Sequence, residues 1–113
     1  MGELTPETMF GRNVKKYIRD NGGYVVKYHG NAMSTNGTPD LLACINGNFV
    51  GIELKAARGK FDLQGIQAHR IKEIRDAGGY AFCLYPSAFD KFKQFVTDLN
   101  SGKDPNTRLI VWK

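Results

Sequence analysis

The stretch Gly37-Thr-Pro-Asp40-Leu-Leu-Ala-Cys-Ile-Asn-Gly-Asn-Phe-Val-Gly-Ile-Glu53-Leu-Lys55 decides how this chain reads. Leu41 to Ile45 and Phe49 to Leu54 are two apolar, strand-forming runs. Asn46-Gly47 between them is a strong two-residue hairpin signal, since both turn positions want positive φ. Asp40 stands where the first strand begins, and Pro39 pushes Thr38 toward extended geometry. On the second strand Glu53 and Lys55 lie two residues apart, so their side chains share a face. Three polar groups converging beside an apolar sheet are costly unless they hold something. Two carboxylates suit a hard divalent cation with oxygen ligands. A neighbouring ammonium stabilises charge on a phosphate or helps to deprotonate a water. The competing readings are structural: Pro39-Asp40 as turn chemistry, Glu53 as an edge-strand charge, Lys55 as its ion-pair partner or a solvated strand end.

Outward from this stretch the chain alternates helices and strands. Thr5 as N-cap and Pro6 at the first helical position open a helix with the apolar stripe Phe10, Val14, Tyr17 and Ile18. Gly22-Gly23 stops it. Tyr24 to His29 is a β-branched and aromatic strand, and Gly30 to Gly37 a small, polar loop. Beyond Lys55, Ala56 to Phe61 is a basic loop. Asp62 then caps a second helix that runs to about Ala77 and ends at Gly78-Gly79. Tyr80 to Tyr85 is a short strand buried on both faces. Ser87 with Asp90 is a capping-box variant that opens a third helix carrying Phe89, Phe92, Phe95, Val96 and Leu99. Leu109 to Trp112 is a last strand. The order is α-β-β-β-α-β-α-β, and a mixed sheet flanked by helices, an α/β fold, is its natural packing.

The composition is that of one small domain spanning residues 1–113, with 42% hydrophobic residues and no run long enough to cross a membrane. No secretory signal is visible at the N-terminus. Cys44 and Cys83 each sit inside an apolar strand, which predicts two reduced, buried thiols in a cytoplasmic protein. A net charge of +5 is compatible with a polyanionic partner. Part of that charge lies in the loop Lys55, Arg58, Lys60. More lies on Arg12, Lys15, Lys16 and Arg19, on the face of the first helix away from its apolar stripe. Such groups hold a nucleic-acid backbone without reading sequence, or simply form a solvated surface. His29 and His69 are too isolated for a zinc site, and no Gly-rich stretch has the phosphate-loop pattern of a nucleotide cofactor site.

Two further polar residues fall on apolar faces. Glu7, in the first helical turn, lies within the stripe of Phe10, Val14 and Ile18. It is either a carboxylate stabilised by the helix N-terminus or part of the acidic cluster; Glu3 is one turn earlier. Gln67 interrupts the stripe of Leu63, Ile71 and Ile74, where a buried amide needs partners. Arg70, near that stripe, reads as a helix-edge charge in preference to a phosphate contact.

Pro39-Asp40 and Glu53-Leu54-Lys55 resemble the PD-(D/E)XK nuclease pattern. Gly37-Thr-Pro-Asp40-Leu-Leu, Gly51-Ile-Glu53-Leu-Lys55, the Gly59-Lys60 loop, Gln67 and Gly78-Gly79 are similar to the VRR-NUC branch, over about Glu7 to Tyr85. The resemblance implies a restriction-endonuclease-like fold and metal-dependent phosphodiester hydrolysis. It implies Asp40, Glu53 and the Leu54 carbonyl as ligands to Mg²⁺ or Mn²⁺, Glu7 as an outer acidic ligand, and Lys55 as the group orienting water. The family glutamine that positions Lys55 or the water matches Gln67 counted back from Gly78-Gly79, and Gln64 counted forward from Lys55. Stand-alone members of this branch resemble junction-resolving nucleases of phages and prophages, which implies branched DNA as substrate and a homodimer. A non-catalytic DNA-binding module and a sequence-specific restriction enzyme are the rival readings. The intact Asp40, Glu53, Lys55 set weighs against the first and the short chain against the second.

Overall fold

In a computed structural model the described residues are 5–30, 36–55 and 65–113, the side chain of Glu7 excepted. The elements are α1 (Pro6–Asp20), β1 (Tyr24–Lys27), β2 (Leu41–Ile45), β3 (Asn48–Leu54), α2 (Gly65–Asp76), β4 (Tyr80–Leu84), a 3-10 turn (Pro86–Ala88), α3 (Phe89–Asn100) and β5 (Val111–Trp112). The five strands form one mixed sheet in sequence order. β1 to β3 run antiparallel, and β3, β4 and β5 run parallel.

Local chemistry explains most boundaries. The Thr5 hydroxyl accepts the Thr8 N–H at 3.1 Å, and Pro6 starts α1. Asn46 and Gly47 both have positive φ, which lets a two-residue turn join β2 to β3. Along β2 and β3 alternate residues face opposite sides. Leu41, Ala43, Ile45, Val50, Ile52 and Leu54 join Phe10, Val14 and Ile18 of α1 and Phe92, Phe95, Val96 and Leu99 of α3 in the main core. Phe82 stacks on Trp112 with ring centroids 3.8 Å apart and packs edge-on against Phe95. Truncating a core aromatic such as Phe82 to Ala typically costs about 3–5 kcal/mol. α2 covers the other face, where Glu53 points. Gly51 permits the approach: a Cβ there would lie 3.0 Å from Ile74 Cδ1 and 3.1 Å from Pro39 Cγ.

Several expectations are corrected. β1 ends at Lys27 and not at His29. Its partner β2 starts at Leu41, and Pro39 before it has no N–H to extend the ladder; one bond, Tyr28 N–H to Asp40 O at 2.8 Å, follows the strand. Ser87 caps nothing. Pro86 begins a helical turn one residue earlier, and Ala88 occupies the N-cap position of α3 with no side-chain bond. β5 is only Val111–Trp112: the Ile110 carbonyl before it still accepts the Cys83 N–H at 2.7 Å, but the Leu109 carbonyl is taken by the Trp112 indole N–H at 2.8 Å. Cys83 is buried, but Cys44 is exposed. It stands in register with Tyr24 and Phe49, both also exposed, on a part of the sheet outside the main core. The second helix is described from Gly65 to Asp76; its expected cap, Asp62, lies outside the described residues.

Candidate active site

The register places the acids side by side. Leu41 pairs with Ile52, so Asp40, one residue before β2, stands level with the end of β3. There the Asp40 Oδ2 accepts the Leu54 backbone N–H at 2.9 Å. The next N–H, of Lys55, points the other way to the Leu84 carbonyl of β4 at 3.0 Å. The carboxylate therefore takes the ladder position that β2 leaves vacant, and the same bond fixes its orientation.

Glu53 is a buried charged residue, 5% exposed. An isolated carboxylate at such depth would be costly, and here it has partners. The Gln67 side-chain amide of α2 donates to its Oε2 at 2.9 Å. Lys55 Nζ lies 3.9 Å from the same oxygen, with 18% of its side chain exposed. Cys83 is the register partner of Glu53 on β4. Burial pushes its thiol up to about 11; Lys55 opposes that shift, and the charges of Glu53 and Asp40 add to it. The thiol is thus a neutral neighbour of the acidic pair at ordinary pH.

The structure brings together Asp40, Glu53, Leu54, Lys55 and Gln67. The amide of Gln67 donates to the same Glu53 oxygen that Lys55 approaches. Gln64, Arg58 and Lys60 lie outside the described residues. Glu7 is in the first turn of α1 and its side chain is likewise outside them. α1 passes close to this end of β3: a Cβ on Gly11, one turn after Glu7, would lie 3.2 Å from Leu54 Cδ1. Arg12, Lys15, Lys16 and Arg19 line a groove along α1 with Met9 and Asn13. Lys16 is paired with Asp20 at 2.6 Å and Arg19 donates to the Val25 carbonyl at 3.3 Å.

Sequence reasoning undervalued Arg70. Its Nε donates to the Asn36 carbonyl at 2.9 Å, 34 residues away, and its Nη1 donates to Glu73 at 2.6 Å. That bond holds the Glu73 carboxyl below its usual range, against the effect of desolvation. A backbone carbonyl leaves no trace in a sequence, so no local signal marks this contact.

Among the described residues no group of three or more His, Cys, Asp or Glu is arranged to hold a metal ion. The pair Asp40 and Glu53 still fits a hard cation, because both are carboxylates and one is buried beside an ammonium and an amide. Among the described residues no helix is long and apolar enough to cross a membrane.

Comparison with known proteins agrees with this fold. Residues 8–85 match the profile of a family described as archaeal Holliday junction resolvase (Hjc). A solved VRR_NUC domain superposes with a TM-score of 0.63 at 24% identity, over 82% of this chain and 96% of that one. Hjc of Archaeoglobus fulgidus, a Holliday junction resolvase from an archaeal hyperthermophile, superposes with a TM-score of 0.54 at 20% identity, over 69% of this chain. The superposed part spans 65% of that resolvase. No curated protein matches the chain. These similarities share a restriction-endonuclease-like core, and the profile match covers more than half of the sequence. The chain belongs to the archaeal Holliday junction resolvase family of nucleases.

Proposed function

We propose that this protein is a metal-dependent endonuclease that hydrolyses phosphodiester bonds in branched DNA. The observation that supports this reading most is the buried Glu53 carboxylate, held by Gln67 and Lys55 beside an Asp40 anchored on Leu54. Asp40 and Glu53 would hold Mg²⁺ or Mn²⁺, with the Leu54 carbonyl and Glu7 as further oxygen donors. Within a strand a residue's N–H and C=O leave from the same edge, so the Leu54 carbonyl belongs to the Asp40 side. Such an ion, when bound, supplies a water of lowered pKa and polarises the scissile phosphate.

The chain's own groups do the positioning. Asp40 is preset by the Leu54 N–H, and Glu53 by the Gln67 amide. Lys55 orients the attacking water and offsets charge gathering on the phosphate. Arg58, Lys60, Arg12, Lys15, Lys16 and Arg19 contact DNA phosphates, which sets register on a branched duplex without reading bases.

A junction needs two cuts, and one domain of this size offers one such site. The protein acts as a homodimer, with two sites related by a two-fold axis. Of the aromatic residues that could line an interface, Phe92, Phe95 and Trp112 are buried in the core. Tyr24 and Phe49 are exposed and flank Cys44 in one cross-strand row, with Val26 close by. This row is the face proposed for the dimer. As the resemblance to the VRR-NUC branch implies, we place it with phage or prophage enzymes that work in the cytoplasm of the host cell.

Labelled four-way, flap, splayed and linear DNA, incubated with Mg²⁺ or Mn²⁺, tests the reading. Cleavage of four-way DNA at symmetric positions is expected, with linear duplex cut at least tenfold more slowly. Equal cutting of all four substrates would overturn the proposed substrate class.

A further inference from the structure

The two elements that supply the acidic pair and its amide meet along a narrow seam. One side is Asn36–Gly37, just before Pro39-Asp40; the other is the first turn and a half of α2, from Ile66 to Arg70. Gly37 has φ +79, and a Cβ there would lie 2.9 Å from the backbone carbon and oxygen of Ile66, so the loop lies directly on the helix. Arg70 closes the seam. Its Nε–H donates to the Asn36 carbonyl at 2.9 Å and its Nη1 to Glu73 at 2.6 Å, which pins the guanidinium at both ends. Only 26% of its side chain is exposed. Three residues before Arg70, on the same helix, Gln67 bonds Glu53. Three residues after the seam, Asp40 bonds Leu54.

We infer that Arg70 is a positioning residue: by tying the Asn36 carbonyl to α2 it sets the placement of Asp40 relative to the Gln67–Glu53 pair. The inference rests on the reading of Asp40 and Glu53 as the cleavage site. A residue that acts in this way affects the rate of the chemical step more than the affinity for DNA, because misplacement of a reacting group by about 1 Å costs on the order of 10²-fold in rate. An arginine that instead grips a phosphate affects affinity and its salt dependence.

The test uses Arg70→Ala and Arg70→Lys in the full chain, with three readouts. Single-turnover cleavage of four-way DNA should slow at least tenfold in Arg70→Ala, while the Kd for the same DNA in EDTA stays within twofold. Arg70→Lys, which keeps one donor for the Asn36 carbonyl, should recover part of the rate. Amide hydrogen exchange at Leu54 should quicken at least tenfold in Arg70→Ala, with exchange at Ala43 in the middle of β2 unchanged. A loss that falls on Kd with the cleavage rate held would overturn the inference. So would unchanged Leu54 exchange. If the wild-type protein cuts no DNA, the functional reading fails, and the Leu54 exchange still decides whether Arg70 positions Asp40.

Discussion

Asp40 Oδ2 accepts the Leu54 N–H at 2.9 Å, so one bond both closes the β2–β3 ladder and aims a carboxylate at the end of β3. A residue with two duties gives separable mutant effects. Asp40→Asn keeps an acceptor for Leu54 and should cost less than about 1 kcal/mol of stability. Asp40→Ala leaves that N–H without its acceptor and should cost about 1–3 kcal/mol. Both should lose DNA cleavage. Chemical denaturation alongside a cleavage assay checks this, and equal stability of the two variants would count against the structural half of the role.

The two cysteines should behave oppositely. Cys44 lies in the exposed row proposed for the dimer face, so it should react with a thiol reagent in the monomeric Phe49→Asp variant and be shielded in the wild-type dimer, whereas Cys83 should react only on unfolding. Peptide mass mapping after alkylation separates them. Because burial raises the Cys83 thiol to about 11, the folded state holds its proton more tightly than the unfolded chain does. Its contribution to stability is therefore intact below about pH 9 and lost as the pH rises through 11. In metal-free buffer the stability difference between wild type and Cys83→Ala should shrink by up to about 2 kcal/mol over that window.

Much of this arrangement is legible in the sequence wherever the cause is local. Asn46-Gly47 announces its turn because both positions need positive φ, and Glu53 and Lys55 share a face because a strand alternates. What escapes the sequence is set by where other elements end. Cys44 looks like a core residue, since nothing local shows that the sheet lies bare beside Tyr24 and Phe49. Ser87 and Asp90 form a plausible cap, but Pro86 begins the helical turn one residue before Ser87. The partner of Gln67 depends on α2 crossing β3, and the contact of Arg70 with Asn36 joins residues too far apart for any periodicity to reveal.

DNA binding should be dominated by phosphate contacts from α1. Arg12→Gln and Lys15→Gln should each weaken binding about equally for unrelated sequences of one shape. Each should also lower the slope of log Kd against log salt by roughly one. Binding titrations between low and moderate salt measure both quantities, and an unchanged slope in the double variant would remove α1 from the interface.

Phe49→Asp places a charge in the exposed row with Tyr24 and Cys44. If that row is the dimer face, light scattering at micromolar concentration should show a dimer for wild type and a monomer for Phe49→Asp. Thermal stability should be little altered beyond the effect of dissociation. A wild-type monomer, with and without DNA, would remove the dimer and the case for paired cuts by a preformed enzyme.

The central claim is that Asp40, Glu53 and Lys55 form one hydrolytic site that needs a divalent cation. Single-turnover cleavage of a four-way junction by wild type and Lys55→Ala, at protein concentrations that saturate binding, tests it most directly. The account predicts at least a 10³-fold slower cut by Lys55→Ala with Kd within a few-fold of wild type, and no cutting by either protein in EDTA. Undiminished cleavage by Lys55→Ala, or by wild type in EDTA, would contradict it.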